Sequence, residues 1–343
     1  MAGRVIYIGA ESQIPVGGIR LATDHVATLV EAGVEAYRWT PTPGFRYTWF
    51  EDTVPTLSGW HLDLTEDDVL VLPELAVLPG RDPAPGARKV VLNQAHFLTF
   101  VTCPDIEDYP GWSPTPSLWT ISRESAAVLA RAVPHLPPAD LIPNPVDTEV
   151  FRPGAHRRPS VAWMPRKRPA DGLLLRRILR NDPRCAGVEL REIKGLSHDG
   201  VAEVLATTSV FVAFNSYAGE GFGLPAAEAL AAGCLVTGYP AGGGEELFEA
   251  PAAWAVAEHR PTLLADKVFE LLEMPGQEEL RAAGRQWIQE RYTRKVTSAS
   301  LLTAVAHARS RPGGACRAQH PAIWEPEVLK IIEPYTASIQ AAS

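Results

Sequence analysis

Two glutamates eight positions apart, Glu220 and Glu228, carry the strongest chemical signal in this 343-residue chain. Glu220 lies among glycines in "GEGFG", and Glu228 lies in the Ala-rich run "AAEALAAG". A carboxylate in an apolar run is costly unless a partner meets it. Carboxylates are good acceptors for hydroxyls, so the pair points to a polar, hydroxyl-rich small molecule. The plain alternative for Glu228 is an acid at a helix N-terminus, worth ~0.3–1 kcal/mol. Glu220 and the neighbouring glycines favour a site over that alternative. A second signal is "PRKRP", where Arg166, Lys167 and Arg168 follow the strand-like "SVAWM". At a strand end such a cluster is an anion site, and elsewhere it is a solvated charge patch. His96 in "NQAHFLTF" is a lone histidine that serves as well as a satisfied core or rim residue as it would as a ligand contact.

The local pattern positions these groups. "VFVAF" reads as a buried strand, "NSYAGEGFG" as the loop after it, and Pro225 as the first helical residue, where its missing N–H costs nothing. Gly233 closes that helix, and "CLVTGY" begins another strand. Both carboxylates therefore fall beyond the carboxyl end of a strand, where open α/β sheets bind ligands. Glycines there let backbone N–H groups approach a ligand closely. Earlier in the chain, "RVIYIGA", a helix with Ile19, Ala22, Val26 and Val30 on one face and Gly33 as its cap, and "VEAYRW" form a βαβ unit. "DVLVLPE" and "RKVVLNQ" read as further strands. The aromatic- and Pro-rich stretch from Thr40 to Trp60 reads as a packed irregular connection rather than an acceptor-binding loop.

Pro143, Pro145, Pro153, Gly154 and Pro159 break the pattern near mid-chain. After them the alternation resumes through "SVAWM", "ADGLLLRRILR", "VELREI", "SHDGVAEVLAT" and "VFVAF", and helical stretches run to about residue 309. The expected organisation is an N-terminal Rossmann-like domain over 1–150 and a C-terminal Rossmann-like domain over 151–310. Residues 311–343 read as a linker and tail with one short helix near "EPEVLKIIEPY", and packing of this tail on the N-terminal domain is left open.

Composition narrows the function. An apolar fraction of 46% and a charged fraction of 21% describe an ordinary globular protein long enough for two cores. The net charge of -8 argues against a nucleic-acid surface. Four scattered cysteines give neither a disulfide framework nor metal-ligand spacing. The start is too short for a signal peptide, and no apolar run is long enough to span a membrane, so a cytoplasmic enzyme is expected. "PVGG", with Gly17 and Gly18, lacks the G-x-G-x-x-G pattern of dinucleotide enzymes. The chain also lacks G-x-S-x-G, H-E-x-x-H, Walker A and Asp-x-Asp motifs.

"EGFGLPAAE" followed by "AAGCLVTGYPAGGGEELF" resembles the signature of retaining glycosyltransferases of the GT-B fold, in particular family 4 (group 1). "LIPNPVDTEVFRP" resembles that family's inter-domain segment, with Pro145 where Gly is usual, and "GGIRLATDHVATLVEAG" its first glycine loop and helix. The resemblance implies an α/β fold of two doubly wound Rossmann-like domains facing across a cleft, with 1–150 on the acceptor side and 151–310 binding the nucleotide sugar. It implies that Glu228 holds ribose hydroxyls, Glu220 contacts the donor sugar, and Arg166 and Lys167 bind the diphosphate, with Arg168 as a third candidate because the basic residues are adjacent here. Gly17 and Gly18 would face the diphosphate, and His96 the donor sugar. Gly221, Phe222, Gly223 and Leu224 would line the donor loop, and Gly243, Gly244 and Glu245 would border the phosphates or base. The expected activity is transfer of a sugar from a nucleotide diphosphate sugar, with retention and without a metal or further cofactor. The acceptor is open among polysaccharide, protein, lipid-linked and small-molecule classes, as is the oligomeric state. The alternatives are a nucleotide-sugar epimerase of the same fold and a catalytically silent glycosyltransferase-like binding subunit.

Overall fold

The computed structural model describes residues 3–14 and 16–321. The chain folds as two units. One runs to Pro143 and resumes at Thr297; the other spans Asn144–Val296.

The first unit is built on a seven-stranded parallel sheet. Its strands are β1 (Val5–Ile8), β2 (Ala36–Thr40), β3 (Thr56–Ser58), β5 (Val69–Pro73), β6 (Lys89–Asn93), β7 (Ser117–Thr120) and β8 (Asp140–Leu141), in the order β3-β2-β1-β5-β6-β7-β8. The short apolar runs read from sequence are the central strands, buried along almost their whole length, as a sheet covered on both faces requires. Helix α1 (Gly17–Glu31) links β1 to β2, and Gly33 after it takes a φ of +78° that a side chain would resist. Its buried arc is wider than the expected stripe. Ile19 and Val26 point inward with Leu21, His25 and Leu29, whereas the last turn carries Val30 out to 40% exposure. Part of the Thr40–Trp60 stretch packs down: Tyr47 is buried against Ala10 and Ile19, flanked by Phe45, Trp49 and Phe50, and Arg38 pairs with buried Asp52 at 2.7 Å, whereas Thr56–Ser58 forms β3 and Trp60 is exposed.

Strand β7 and helix α2 (Arg123–Ala132) are additions to the sequence pattern, although Ser122 caps α2 by accepting from the Ser125 amide at 3.3 Å. The tail is not a linker throughout. Strand β14 (Cys316–Gln319) pairs antiparallel with β4 (His61–Leu64), a partner no local signal announces. The short helix expected near residue 330 lies outside the described residues.

The second unit holds a five-stranded parallel sheet of β9 (Ser160–Trp163), β10 (Glu189–Glu192), β11 (Val210–Phe214), β12 (Leu235–Tyr239) and β13 (Ala253–Ala255), ordered β10-β9-β11-β12-β13. Helices α3 (Pro169–Asn181), α4 (His198–Ala206), α5 (Leu224–Ala231), α6 (Pro261–Glu273) and α7 (Gln277–Arg291) accompany it. The units part at Val296/Thr297, inside α8 (Arg294–Arg309), rather than at residue 310. Tertiary packing, which the helical pattern does not encode, sets that point. No described helix is long and apolar enough to cross a membrane.

His25, fully buried on α1 with Nδ1 3.3 Å from the Tyr7 hydroxyl, is pulled by burial from 6.5 to about 3. Its neutral form belongs to the fold, so its contribution is complete above 6.5 and is lost as the pH falls towards 3. Glu74, raised by burial from 4.5 to about 7, acts with the opposite sign and loses its contribution as the pH rises through about 7. Urea unfolding between pH 7 and 4.5 should therefore show stability falling less steeply on acidification in His25→Leu than in the parent. Equal slopes would refute the assignment.

Candidate functional site

The carboxyl ends of β9, β11 and β12 bring the sequence-predicted groups of the second unit together. The Glu220 side chain, 11% exposed, forms an ion pair with Lys167, which follows β9. The backbone of Glu220 bridges to Gly242 beyond β12: its N–H donates to the Ala241 carbonyl, and its carbonyl accepts from Gly243 N–H, both at 2.8 Å. The two glycine loops are thus laid directly on each other. A Cβ at Gly243 would sit 2.1 Å from the Gly221 carbonyl, and one at Gly244 would sit 2.4 Å from the Pro240 carbonyl. Gly243 is needed for loop-to-loop contact and Gly244 for its own turn against Asn215, reasons that ligand approach had not suggested.

Helix α5 begins beside them. Gly223 caps it with a φ of +92°, Leu224 is its first residue, and Pro225 is second rather than first. Both positions tolerate proline because first-turn N–H groups have no helical partner. Glu228 lies in the second turn, with its side chain 16% exposed and 3.9 Å from His198 Nε2 at the start of α4. The His198 ring in turn packs edge-on against Phe151 at 4.9 Å. Phe222 is a core residue, 2% exposed and packed on Tyr292. Glu245 is exposed, whereas the neighbouring Glu246 is buried and accepts from the Tyr292 hydroxyl at 2.9 Å.

The three basic residues separate sharply. Arg166 is exposed, Lys167 reaches Glu220, and Arg168 is fully buried. Arg168 donates through Nε to the Asn215 carbonyl and lies 2.9 Å from Glu258 and 3.4 Å from Asp171. Its guanidinium covers the Tyr217 ring at 4.0 Å and approaches the Tyr239 ring to 5.0 Å. These contacts bury Arg168 among partners of the fold, unlike Arg166 and Lys167. Sequence reasoning missed Asn215, whose Nδ2 donates to the Pro240 carbonyl at 2.7 Å and whose side chain abuts the positions of Gly223 and Gly244. The "FNS" immediately after β11 was its only sequence signal.

The first unit assembles the other predicted group. Gly17 and Gly18 open α1, and a Cβ at Gly17 would meet nothing within 4 Å, so this position borders open space. Gly18 is contacted by Gln94, whose Nε2 donates to its carbonyl at 3.2 Å. His96 follows in a short 3-10 turn, half-buried, with Nδ1 3.1 Å from Ser125 Oγ, and burial lowers its pKa. Among the described residues no group of three or more His, Cys, Asp or Glu is placed to hold a metal.

What these elements provide is a helix N-terminus with a lysine–glutamate pair in one unit, and a glycine-opened helix N-terminus in the other. Helix N-termini attract anions through free N–H groups and the helix dipole. The family model for glycosyl transferases group 1 matches residues 187–288. A search of curated proteins finds no match. Among solved structures the chain is similar to sucrose-phosphate synthase from Thermosynechococcus elongatus, with a TM-score of 0.66 and 14% identity over 90% of this chain and 99% of that one. It is similar to the Anabaena protein HepE in complex with UDP-glucose, with a TM-score of 0.63 and 13% identity over 89% and 100%. A third is WaaG, a glycosyltransferase involved in lipopolysaccharide biosynthesis, with a TM-score of 0.55 and 12% identity over 88% and 99%. At such identities the likeness is one of fold. The stretch 187–288, which contains Glu220, Glu228 and both interlocked glycine loops, thus matches the group 1 glycosyl transferase model, and the chain shares the α/β fold of the solved structures it resembles.

Proposed function

We propose that the protein transfers a sugar from a nucleotide diphosphate sugar to an acceptor, with retention at the anomeric carbon and without a metal ion. The observation that carries this reading is the Lys167–Glu220 ion pair at the carboxyl edge of the second sheet, beside the glycine-capped start of α5. A uridine diphosphate sugar is the donor class suggested by the HepE complex. Lys167 supplies the positive charge for the diphosphate, with exposed Arg166 free to approach it. Glu220 accepts from sugar hydroxyls, and Glu228 from the ribose. Lys167 and the N-terminus of α5 stabilise charge as it grows on the leaving diphosphate, which is electrostatic preorganisation. The acceptor oxygen bonds to the anomeric carbon on the face from which the phosphate oxygen departs, and the acceptor proton passes to that phosphate oxygen. The metal-free reading rests on these basic groups and on the missing Asp-x-Asp.

The two glutamates should fail differently. Glu228→Ala should weaken bare nucleotide diphosphate and donor alike, by roughly 1–3 kcal/mol, because ribose contacts persist unchanged into the transition state. Glu220→Ala should spare nucleotide binding and depress turnover, because it orients the reacting sugar. Calorimetric titration beside donor kinetics separates them, and the reverse pattern exchanges their roles. Replacing Arg166 and Lys167 together by alanine should weaken nucleotide diphosphate binding by ~1.5–3 kcal/mol per lost charge-assisted bond and leave the protein folded. Arg168→Ala should instead lower unfolding free energy by ~1.5–3 kcal/mol, since it removes charge-assisted hydrogen bonds and the guanidinium face packed on Tyr217. A stable Arg168→Ala protein with selectively weakened nucleotide binding would return Arg168 to the phosphates. Turnover should persist in excess chelator; activity that disappears and returns with Mg²⁺ or Mn²⁺ defeats the metal-free reading.

A further inference from the structure

Glu74 is a buried acid that the reaction above does not use. It is 4% exposed and opens a 3-10 turn directly after β5. Its Oε1 accepts the Ala95 amide at 2.9 Å and the Gln94 amide at 3.3 Å. Those two residues begin the loop after β6, and the side-chain contacts of that loop lead towards the predicted ligand groups of the first unit. Gln94 holds the Gly18 carbonyl at the start of α1, and His96 faces Ser125 on α2. Ser125 in turn contacts Ser122, the α2 cap, at 2.9 Å. The carboxyl therefore sits behind the strand ends and sets a loop that touches both helix N-termini.

We propose that Glu74 is a positioning residue: by accepting the Gln94 and Ala95 amides it fixes Gln94 against Gly18 and His96 against Ser125, and it does so more firmly when ionised. The role of this loop in transfer rests on the glycosyltransferase reading; the positioning itself does not. An ionised acceptor makes shorter, stronger hydrogen bonds to backbone N–H groups than a neutral carboxyl does. Burial also raises the Glu74 pKa to about 7, so its state changes across neutral pH. The titratable group facing it is Tyr109, which burial drives well above 10, and Cys103 near Tyr109 is raised to about 11, so neither changes charge in that range. His96 itself faces Glu124 on α2, and burial holds the imidazole below 6.5.

The test is the variant Glu74→Gln, whose carboxamide oxygen can still accept both amides but cannot titrate. The His96 ring and Gln94 carboxamide are followed by NMR against pH in both proteins, without donor. In the parent both signals should move with an inflection near 7; in the variant that inflection should vanish, leaving only the lower titration of His96. Superimposable titrations overturn the proposal. Donor kinetics form the second arm: the parent kcat should fall as the pH drops below about 7, and the Glu74→Gln profile should be flat there with little change in KM. If the NMR inflection depends on Glu74 but no nucleotide sugar is turned over, the positioning stands and the transferase reading fails. If turnover is present and the two kinetic profiles coincide, the loop setting has no part in transfer and the proposal fails.

Discussion

The candidate site of the second unit depends on one buried cation. The Arg168 guanidinium, placed beyond the end of β9, is bonded to the backbone after β11, lies near Tyr239 at the end of β12, and faces Glu258 beyond β13. Four strand ends are thereby tied to one group. A buried cation is tolerable only where carboxylates and carbonyls meet it, and Asp171, Glu258 and Asn215 do so. Arginine suits the role because its planar fork bonds in several directions while its face stacks on Tyr217. With Arg168 anchored, the chain just before it is held, and Lys167 is delivered to Glu220.

The glycine loops are the second constraint. Glu220–Gly223 and Ala241–Gly244 exchange backbone hydrogen bonds at distances that admit no side chain at Gly243. Such knitting fixes Glu220 from its own backbone while leaving its carboxylate to Lys167. The first unit uses a different device, in which a buried carboxyl at Glu74 collects two amides and so sets a loop from behind. In both units the groups at the edge are held by polar contacts beneath them, while the strands supply rigid, apolar support.

Much of this was legible in the sequence. Central parallel strands are apolar runs because both faces are covered, so β1, β5, β6, β9, β11 and β12 announced themselves. Edge pieces did not. β8 has two residues and β3 three, too short for any period, and β14 exists only because β4 is there to pair with it. Likewise the burial arc of α1 was set by what packs around it, not by the four apolar positions that suggested it.

For the site, residue type and spacing alone determined that Glu220, Glu228 and the basic cluster stand beyond strand ends, because a strand–loop–helix pattern has only one place to put them. The sequence could not distribute burial and partners among Arg166, Lys167 and Arg168, which are adjacent and chemically alike. Only the tertiary structure decided that, by turning Arg168 inward to carboxylates and rings far off in sequence, Lys167 towards Glu220, and Arg166 to solvent. It also decided that Phe222 is core, that Gly243 serves loop contact, and that Glu74 is buried behind the Gln94 loop. The reason is the same throughout: burial, partner and hydrogen-bond direction come from residues distant in the chain, and local pattern carries no record of them.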